Sequence, residues 1–336
     1  MKSLETRLHE WKFVIFFIIL LSSSHIFAEN LSSKVSFTGC ACAGARYSAL
    51  GKAVETLVDD VYAIYWNPAG LCGLSEKWII KDNGNKGNIE EEDLIIFSED
   101  ERSNFFFQIG LSAAKLDNER ESGFAGIAFN MLSGVIGIGL YYIQTKENEI
   151  STSDGNLDSN SDALGSTGYI SIAWELGLYS FGFSIKGLHQ EIGDIQYYGG
   201  GLDAGCVAEV IPFIKFGFVV QDIGTCIKTK KHYEEVNNSY DLVYPVLKFN
   251  ASFTSDAYDL IFAIGGIKKI EGRYELHIGI QYNFISHLSI YFGVNDTTLS
   301  TGFTYKHQNI AISYAFFSDI NDFSYNNILS ATYLFN

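Results

Sequence analysis

The sequence predicts an all-β fold, a transmembrane antiparallel β-barrel of about 14 strands with an N-terminal helical and turn segment inside its lumen. Three observations lead to this prediction. From residue 76 onward, apolar and polar residues alternate in runs of roughly 8 to 12, separated by turns rich in Asn, Asp, Ser and Gly. The chain contains 32 glycines, 3 prolines and 15% aromatic residues. No later apolar run approaches the ~20 residues that a transmembrane helix needs.

The first 28 residues have the three parts of a signal peptide. Lys2, Arg7 and Lys12 precede an apolar run from Phe13 to Leu21, and Ala28 offers a small residue for cleavage. The run is too short to cross a bilayer as a helix, so a retained N-terminal anchor is the weaker alternative. We therefore expect this segment to be removed and the remainder to reach the cell outer membrane.

The alternation is plainest from Arg273 to Asn283. One face has the apolar residues and the other has the polar or small ones, because successive strand side chains point to opposite faces. The two sets are Tyr274, Leu276, Ile278, Ile280 and Tyr282, against Glu275, His277, Gly279 and Gln281. In a barrel that spans a bilayer, the apolar face meets lipid and the polar face lines the lumen.

The end of the chain favours closure of the sheet. The run from Asn327 to Phe335 places Leu329, Tyr333 and Phe335 on one face, and such aromatic residues suit the girdles at the membrane interfaces. A sheet in hydrocarbon can have no unpaired edge, so its strands must close into a cylinder. A soluble β-sandwich also alternates and is the main alternative.

The sequence divides into three parts, predicted as a signal peptide, an N-terminal hatch and a barrel: 1–28, 29–75 and 76–336. Short turns at 118–122 and 295–297 are expected on the periplasmic side. The long polar loops at 145–166 and 228–242 are expected on the external side, because exported barrels have their longer loops there.

Two local signals shape the predicted hatch. The stretch from Ala49 to Asp60 predicts an amphipathic helix with Val54, Leu57 and Val58 on one side. Asn67-Pro68 then predicts a non-helical turn, because proline fixes its own φ and restricts the residue before it. A compact helix and turn therefore precede the strands.

Several segments resemble the FadL-like outer-membrane proteins, especially the PorV/PorQ branch and an uncharacterised spirochaetal branch. The N-terminal ones are Gly44-Ala45-Arg46, Ala49-Leu50-Gly51, Asp59-Asp60 and Tyr65-Trp66-Asn67-Pro68-Ala69-Gly70-Leu71. Later segments at 201–205, 216–224 and 244–245 resemble mid-barrel strands of that branch. Lys52 stands where the branch usually has a second glycine.

The resemblance implies a barrel of about fourteen strands whose N-terminal segment folds into the lumen as a hatch. Asn67, Pro68, Ala69 and Gly70 carry over as the hatch motif. For FadL-like proteins it implies that hydrophobic molecules diffuse through a pocket and a lateral gap in the wall. The PorV branch implies docking of exported protein domains during secretion and surface attachment instead.

A pocket for an acyl chain would need apolar residues near the hatch and a polar group for a carboxylate. The candidate lining residues are Tyr62, Ile64, Tyr65, Trp66 and Leu71. Arg46 and Lys52 are the candidates for the head group. The alternative is that these side chains only fix the hatch to the wall.

Charge and residue types argue against several other functions. With 23 basic and 39 acidic residues the net charge is −16, and nucleic-acid binding needs clustered Lys and Arg. The histidines after the signal peptide have no catalytic or metal-ligand spacing, so no enzyme activity, cofactor or metal is expected. The acidic stretch 154–162 lacks the glycine and glutamate of a calcium loop. A disulfide from Cys40 or Cys42 to Cys72 is one expectation for an oxidising compartment.

The sequence thus predicts an outer-membrane transporter of long-chain fatty acids or other hydrophobic small molecules, with outer-membrane lipid and a hydrophobic ligand as its partners. The alternative is a PorV-like accessory protein whose partner is an exported protein. An apolar tunnel past the hatch to a break in the wall would favour transport. A sealed lumen with an exposed apolar rim would favour docking.

Overall fold

The computed structural model of the chain describes residues in nine ranges: 42–74, 106–116, 120–131, 134–145, 163–193, 195–231, 240–270, 274–320 and 325–335. The predicted signal peptide, Cys40 and the acidic stretch 154–162 lie outside these ranges. No helix within them is long and apolar enough to cross a bilayer.

The described strands follow one another through the chain after residue 106. They are β1 (Phe107–Leu116), β2 (Arg120–Met131), β3 (Gly134–Thr145), β4 (Ala163–Leu176), β5 (Tyr179–Ile192), β6 (Ile195–Ile211), β7 (Ile214–Lys231), β8 (Tyr240–Leu242), β9 (Val246–Ser255), β10 (Leu260–Lys269), β11 (Tyr274–Ile285), β12 (Leu288–Asn295), β13 (Thr298–His307), β14 (Ile310–Asp319) and β15 (Tyr325–Phe335). A short 3-10 helix, Asp256–Tyr258, lies between β9 and β10.

Fourteen of these strands form one closed antiparallel barrel within the described residues. Each pairs with its neighbours in sequence, and β1 pairs with β15 from Phe107↔Phe335 to Lys115↔Asn327. The three-residue β8 pairs with β7 beyond the end of β9. β8 and β9 together therefore occupy the place of one interrupted strand in the barrel wall. The predicted fold class is confirmed.

The barrel is apolar outside and polar inside, as the alternation predicts. On β11, His277 and Gln281 face the lumen and are buried, whereas Leu276 and Tyr282 face outward and are exposed. The same phase leaves Ile185 65% exposed between the buried Ser184 and Lys186. This arrangement is the inverse of a soluble core, and it suits a wall whose exterior meets lipid.

Connections of two to four residues join β2 to β3, β4 to β5, β6 to β7, β9 to β10, β11 to β12 and β13 to β14, all at one end of the barrel. The predicted short turns at 118–122 and 295–297 lie at the other end, where β3 ends and β7 ends. The prediction that these short turns and the long loops at 145–166 and 228–242 lie on opposite sides of the membrane is therefore wrong. Because strand direction alternates, the number of strands that precede a turn decides at which end of the barrel that turn lies. The length of the turn does not.

Residues 42–74, hereafter the hatch, fill the lumen. They contain α1 (Ala45–Ala49), α2 (Ala63–Trp66) and a 3-10 helix, η1 (Pro68–Cys72). Nearly all hatch side chains are buried. Hatch backbone atoms bond to wall side chains far along the chain, for example Ala45 N to Ser330 Oγ at 3.0 Å.

The predicted helix from Ala49 to Asp60 is wrong, because the chain turns at its start. Gly51 and Lys52 have φ of 64° and 68°, in the left-handed region that ends a right-handed helix. Lys52 thus occupies a conformation that glycine adopts more easily. The predicted apolar residues Val54, Leu57 and Val58 are nevertheless buried.

Candidate functional site

The hatch motif is organised by the side chain of Asn67. Its Oδ1 accepts a hydrogen bond from Ala69 N at 3.1 Å and thereby caps η1, and its Nδ2 donates to the Glu55 carbonyl oxygen at 2.6 Å. Pro68 occupies the first helical position, where its missing N–H costs nothing. Asn67 therefore joins two separate segments of the hatch in a fully buried position.

The wall receives this motif on two inward-facing glycines. A Cβ added to Gly205 on β6 would overlap Oδ1 of Asn67. A Cβ added to Gly182 on β5 would overlap the peptide between Pro68 and Ala69. The hatch motif thus sits on a patch of wall that only glycine can form.

The aromatic residues predicted to line a pocket are packed against other groups. Trp66 donates from Nε1 to the Ala43 carbonyl oxygen at 2.6 Å. The ring centroid of Tyr65 lies 5.3 Å from that of Trp66 and 5.2 Å from that of Tyr141 on β3. Ile64 and Leu71 are also buried. These four predicted residues form one cluster on the β3 to β6 side of the lumen.

Tyr62 lies apart from that cluster, against the seam where the barrel closes. Its hydroxyl lies 2.7 Å from the Leu111 carbonyl oxygen on β1 and 3.2 Å from the Ala331 carbonyl oxygen on β15. Burial raises the pKa of the Tyr62 hydroxyl, so the group remains a donor. Tyr62 therefore bridges the first and last strands of the barrel.

Arg46 is already occupied by hatch and wall partners. Its Nη1 lies 2.7 Å from Asp59 Oδ1, and its Nη2 donates to Gln281 Oε1 on β11 at 3.1 Å. Burial alone would lower the pKa of the Arg46 guanidinium, but Asp59, Tyr47, Tyr291 and Asp60 together outweigh it and raise this pKa. A ligand carboxylate would have to compete with Asp59 for Arg46.

Lys52 contributes its backbone to the site. Its carbonyl oxygen lies 3.1 Å from Nδ1 of His277 on β11, and its side chain is half-buried. Because a carbonyl only accepts, this contact places a proton on Nδ1 of His277. The buried Nε2 atom of the same ring lies 3.8 Å from Glu275 Oε2, beyond hydrogen-bond distance.

Two charged residues that the sequence reasoning missed meet between the hatch and β9. Lys248 lies with its Nζ 5.5 Å from the Trp66 ring centroid and forms no ion pair with a described residue. Glu55, 2% exposed, has one carboxylate oxygen without a partner in the described residues. Burial raises the pKa of Glu55, against the opposing effect of the Lys248 charge. Lys248 could have been found from the sequence, because it is a charged residue in the middle of a predicted strand and on its polar face.

The wall is interrupted beside the hatch. The β7–β9 pairing ends at Gln221↔Val246, and the β7–β8 pairing starts at Cys226↔Leu242. Between them, residues 222–225 face 243–245, and a hydrogen bond from Val243 N to Thr225 O at 2.9 Å crosses the gap. We call these two segments the wall break.

The backbone at the wall break explains the missing ladder. Asp222 and Gly224 have φ of 62° and 60°, so β7 bulges out of strand geometry twice. Pro245 has no N–H to donate to a neighbouring strand. Two further irregularities lie in the β6–β7 register on the other side of the bulge, at Gly200/Leu202 and Leu202/Ala204.

Two hollows formed by described residues lie on the strands and include no hatch residue. One is shallow and lies beside Ala114 and Ile328, and the other lies beside Phe303 and Phe316. Neither contains a predicted pocket residue. The predicted pocket residues Tyr62, Tyr65, Trp66 and Leu71 are buried between the hatch and the wall.

Three solved structures resemble this fold over most of the chain. The Ralstonia pickettii toluene transporter TbuX gives a TM-score of 0.50 at 13% identity, covering 87% of this chain and 97% of that one. A Pseudomonas aeruginosa FadL homologue gives 0.52 at 9% identity, covering 88% and 97%. The chain has a FadL-like fold. A deltaS2S3 mutant of the TodX monoaromatic hydrocarbon channel gives 0.53 at 11% identity, covering 87% and 97%.

No family model and no curated protein matches the chain. The resemblance to FadL-like proteins thus agrees with the structural comparison at the level of the fold. The narrower resemblance to the PorV/PorQ branch stays a prediction from the sequence. The candidate functional features of this fold are the hatch, the polar groups facing it and the wall break.

Proposed function

We propose that this chain is an outer-membrane barrel that admits long-chain fatty acids or other hydrophobic small molecules by diffusion, without a cofactor or energy source of its own. The contact between the hatch and the wall break supports this most directly. Gln221 donates from Nε2 to the Tyr65 carbonyl oxygen at 3.1 Å, and Asp222 begins the break. A hatch movement that displaces Tyr65 would remove a contact from the edge of the break.

The surroundings of the wall break suit a hydrophobic molecule. Leu188 and Ile227 face the lumen beside it and are buried. Leu202 and Leu242 face outward and are 46% and 60% exposed. A molecule leaving the lumen here would pass from apolar side chains into lipid without crossing water.

For a substrate with a carboxylate, Lys248 is better placed than the predicted Arg46. Arg46 is in a direct ion pair with Asp59 at 2.7 Å, whereas Lys248 interacts with Glu55 without a direct ion pair in the described residues. Tyr62, Tyr65, Trp66, Leu71 and Lys52 remain candidates for the pocket. In the described arrangement most of them are buried, so the pocket would form only when the hatch moves.

The test is uptake into liposomes that contain the purified barrel. A fluorescent long-chain fatty acid and toluene should enter faster than into protein-free liposomes, while glucose should not. Mass spectrometry of lipid that copurifies in mild detergent should find a hydrophobic ligand. Transport is refuted if a folded barrel accelerates neither hydrophobic probe.

The pocket assignment has its own test. Trp66→Ala and Arg46→Ala should reduce uptake or lipid-probe binding in barrels that remain folded. If both variants leave uptake and binding unchanged, these residues only fix the hatch to the wall.

Docking of an exported protein domain, the PorV-like alternative, is favoured by one observation. Apolar side chains are exposed at the end with the short connections, including Leu178 and Tyr258. The interfacial lipid of a membrane would cover such residues equally well. Fast uptake of hydrophobic probes by the barrel alone decides for transport.

A further inference from the structure

A buried group of three charges lies on the lumen side of the wall break. Lys186 on β5 has its Nζ 2.7 Å from Asp203 Oδ1 on β6 and 2.7 Å from Asp222 Oδ1 on β7. Their side chains are 5%, 2% and 7% exposed. The three residues thus join three neighbouring strands at the height of the break.

Near these charges, side-chain contacts replace ladder bonds that are missing between β6 and β7. Asp222 donates its backbone N–H to Asp203 Oδ1 at 2.8 Å, and Thr225 Oγ1 donates to Asp222 Oδ1 at 3.3 Å. A Cβ on Gly201 would overlap the Thr225 hydroxyl, so β6 leaves room for the bulged segment. The start and the end of segment 222–225 are therefore both tied to the charged group.

We propose that Lys186, Asp203 and Asp222 form a latch that ties segment 222–225 to β5 and β6 and so keeps it in place beside residues 243–245. The latch rests on the proposed transport function, because it would control the exit of a hydrophobic molecule from the lumen into lipid. These are positioning residues: the passing molecule need not touch them. Release of segment 222–225 would leave an opening bounded by β6, β8 and β9.

The charge balance makes Lys186 the central member. Two carboxylates face one ammonium, so removal of the lysine leaves two buried carboxylates without the cation that lies 2.7 Å from each of them. Their repulsion acts on the segment that the ladder does not hold. Loss of Lys186 should therefore loosen segment 222–225 before it loosens the rest of the wall.

Two native cysteines report such a local change. Cys226 follows the break on β7 and donates to the Gly224 carbonyl oxygen at 3.4 Å, so its thiol senses the segment directly. Cys206 on β6 is half-buried like Cys226 but pairs with Phe181 and Phe218 in regular ladder. It is the reference within the same molecule.

The experiment measures alkylation of Cys226 and Cys206 by N-ethylmaleimide in the purified, folded barrel, resolved by peptide mass spectrometry. Lys186→Met should accelerate modification of Cys226 roughly tenfold or more while Cys206 changes little, because breaking a buried ion pair is strongly unfavourable. The matched control is Lys215→Met, which breaks a β6–β7 ion pair with Glu209 (2.8 Å) at a one-third exposed position. It should leave both rates near those of the wild type.

A second variant guards against a failure of Lys186→Met to fold. Asp222→Asn keeps a residue type that tolerates the left-handed turn and removes one charge contact, so it should give a smaller rise at Cys226. The latch is refuted if Cys226 is unchanged in folded variants, or if Cys206 accelerates equally, which would indicate general loosening. The alkylation result is independent of uptake: a wild-type barrel that transports nothing refutes only the proposed function.

Discussion

Asn67 lies directly on Gly205, with its side-chain oxygen in the space that the Cβ of any larger residue would occupy. The contact joins the first turn after α2 to a wall strand about 140 residues later in the chain. This contact gives a physical reason for the asparagine and proline of the hatch motif, because both residues pack against the wall where Gly205 has no side chain.

The first prediction concerns the side chain of Asn67. Asn67→Ala removes the cap of η1 and leaves the Glu55 carbonyl oxygen without its donor, which should cost roughly 1–3 kcal/mol. We expect a lower thermal midpoint in detergent and faster proteolysis of the hatch. Asn295→Ala is the control, since Asn295 caps only an exposed turn through Thr297 and Thr298. Equal effects of the two changes would contradict the assigned role.

The second prediction concerns the wall side of the same contact. Gly182→Ala pushes a methyl group into the Pro68–Ala69 peptide and should destabilise the seated hatch by about 1–3 kcal/mol, as overpacking usually does. Gly187→Ala lies on the same strand with no atom within 4 Å of the added carbon. Proteolysis of the hatch should therefore rise only in the Gly182 variant. A similar rise in both would show that the strand, not the contact, is affected.

The third prediction follows from the buried Glu55. Burial raises its pKa above the ordinary value of 4.5, so the folded hatch binds this proton more tightly than the unfolded hatch does. Stability is then lost as the pH rises from about 4.5 through the folded pKa. Glu55→Gln removes this loss, so its hatch should resist proteolysis better than the wild type toward neutral pH.

The difference between Glu55→Gln and the wild type should shrink as the pH falls toward 4.5. Glu209→Gln, which alters a half-exposed carboxylate in the β6–β7 ion pair, should not reproduce that trend. A pH-independent difference between Glu55→Gln and the wild type would contradict the burial argument.

The fourth prediction separates the two candidate cations. Lys248→Met should weaken binding of a fatty acid by several-fold while leaving toluene uptake unchanged, because only the carboxylate needs a charge partner. Arg46→Met should instead destabilise the hatch, since the ion pair between Arg46 and Asp59 is lost. Titration with a fluorescent fatty acid and thermal unfolding tell these effects apart. Lys269→Met, in a surface ion pair with Glu275, is the control for charge alone.

The sequence was sufficient where local pattern decides structure. The two faces predicted for 274–282 are those of β11, and the predicted last strand closes on β1. Period-two alternation fixes which face of a strand is apolar, and lipid outside the wall requires that face to point outward. Asn67-Pro68 likewise turns where predicted, because proline's restriction is local.

It was insufficient where distant contacts decide. Lys186, Asp203 and Asp222 are separated by 17 and 19 residues, and only the register of three strands brings them together. The predicted helix from Ala49 failed because Gly51 and Lys52 turn the chain, with backbone atoms of the turn lying against Gly293 on β12. Arg46 was expected to await a ligand, but its partner Asp59 depends on that same turn.

The bridge made by Tyr62 has a consequence for biogenesis. Tyr62 precedes all the described strands in the chain, and its hydroxyl contacts carbonyl oxygens on β1 and β15, the pair that closes the barrel. We therefore expect insertion of the hatch and closure of the β1–β15 seam to be coupled during assembly in the membrane.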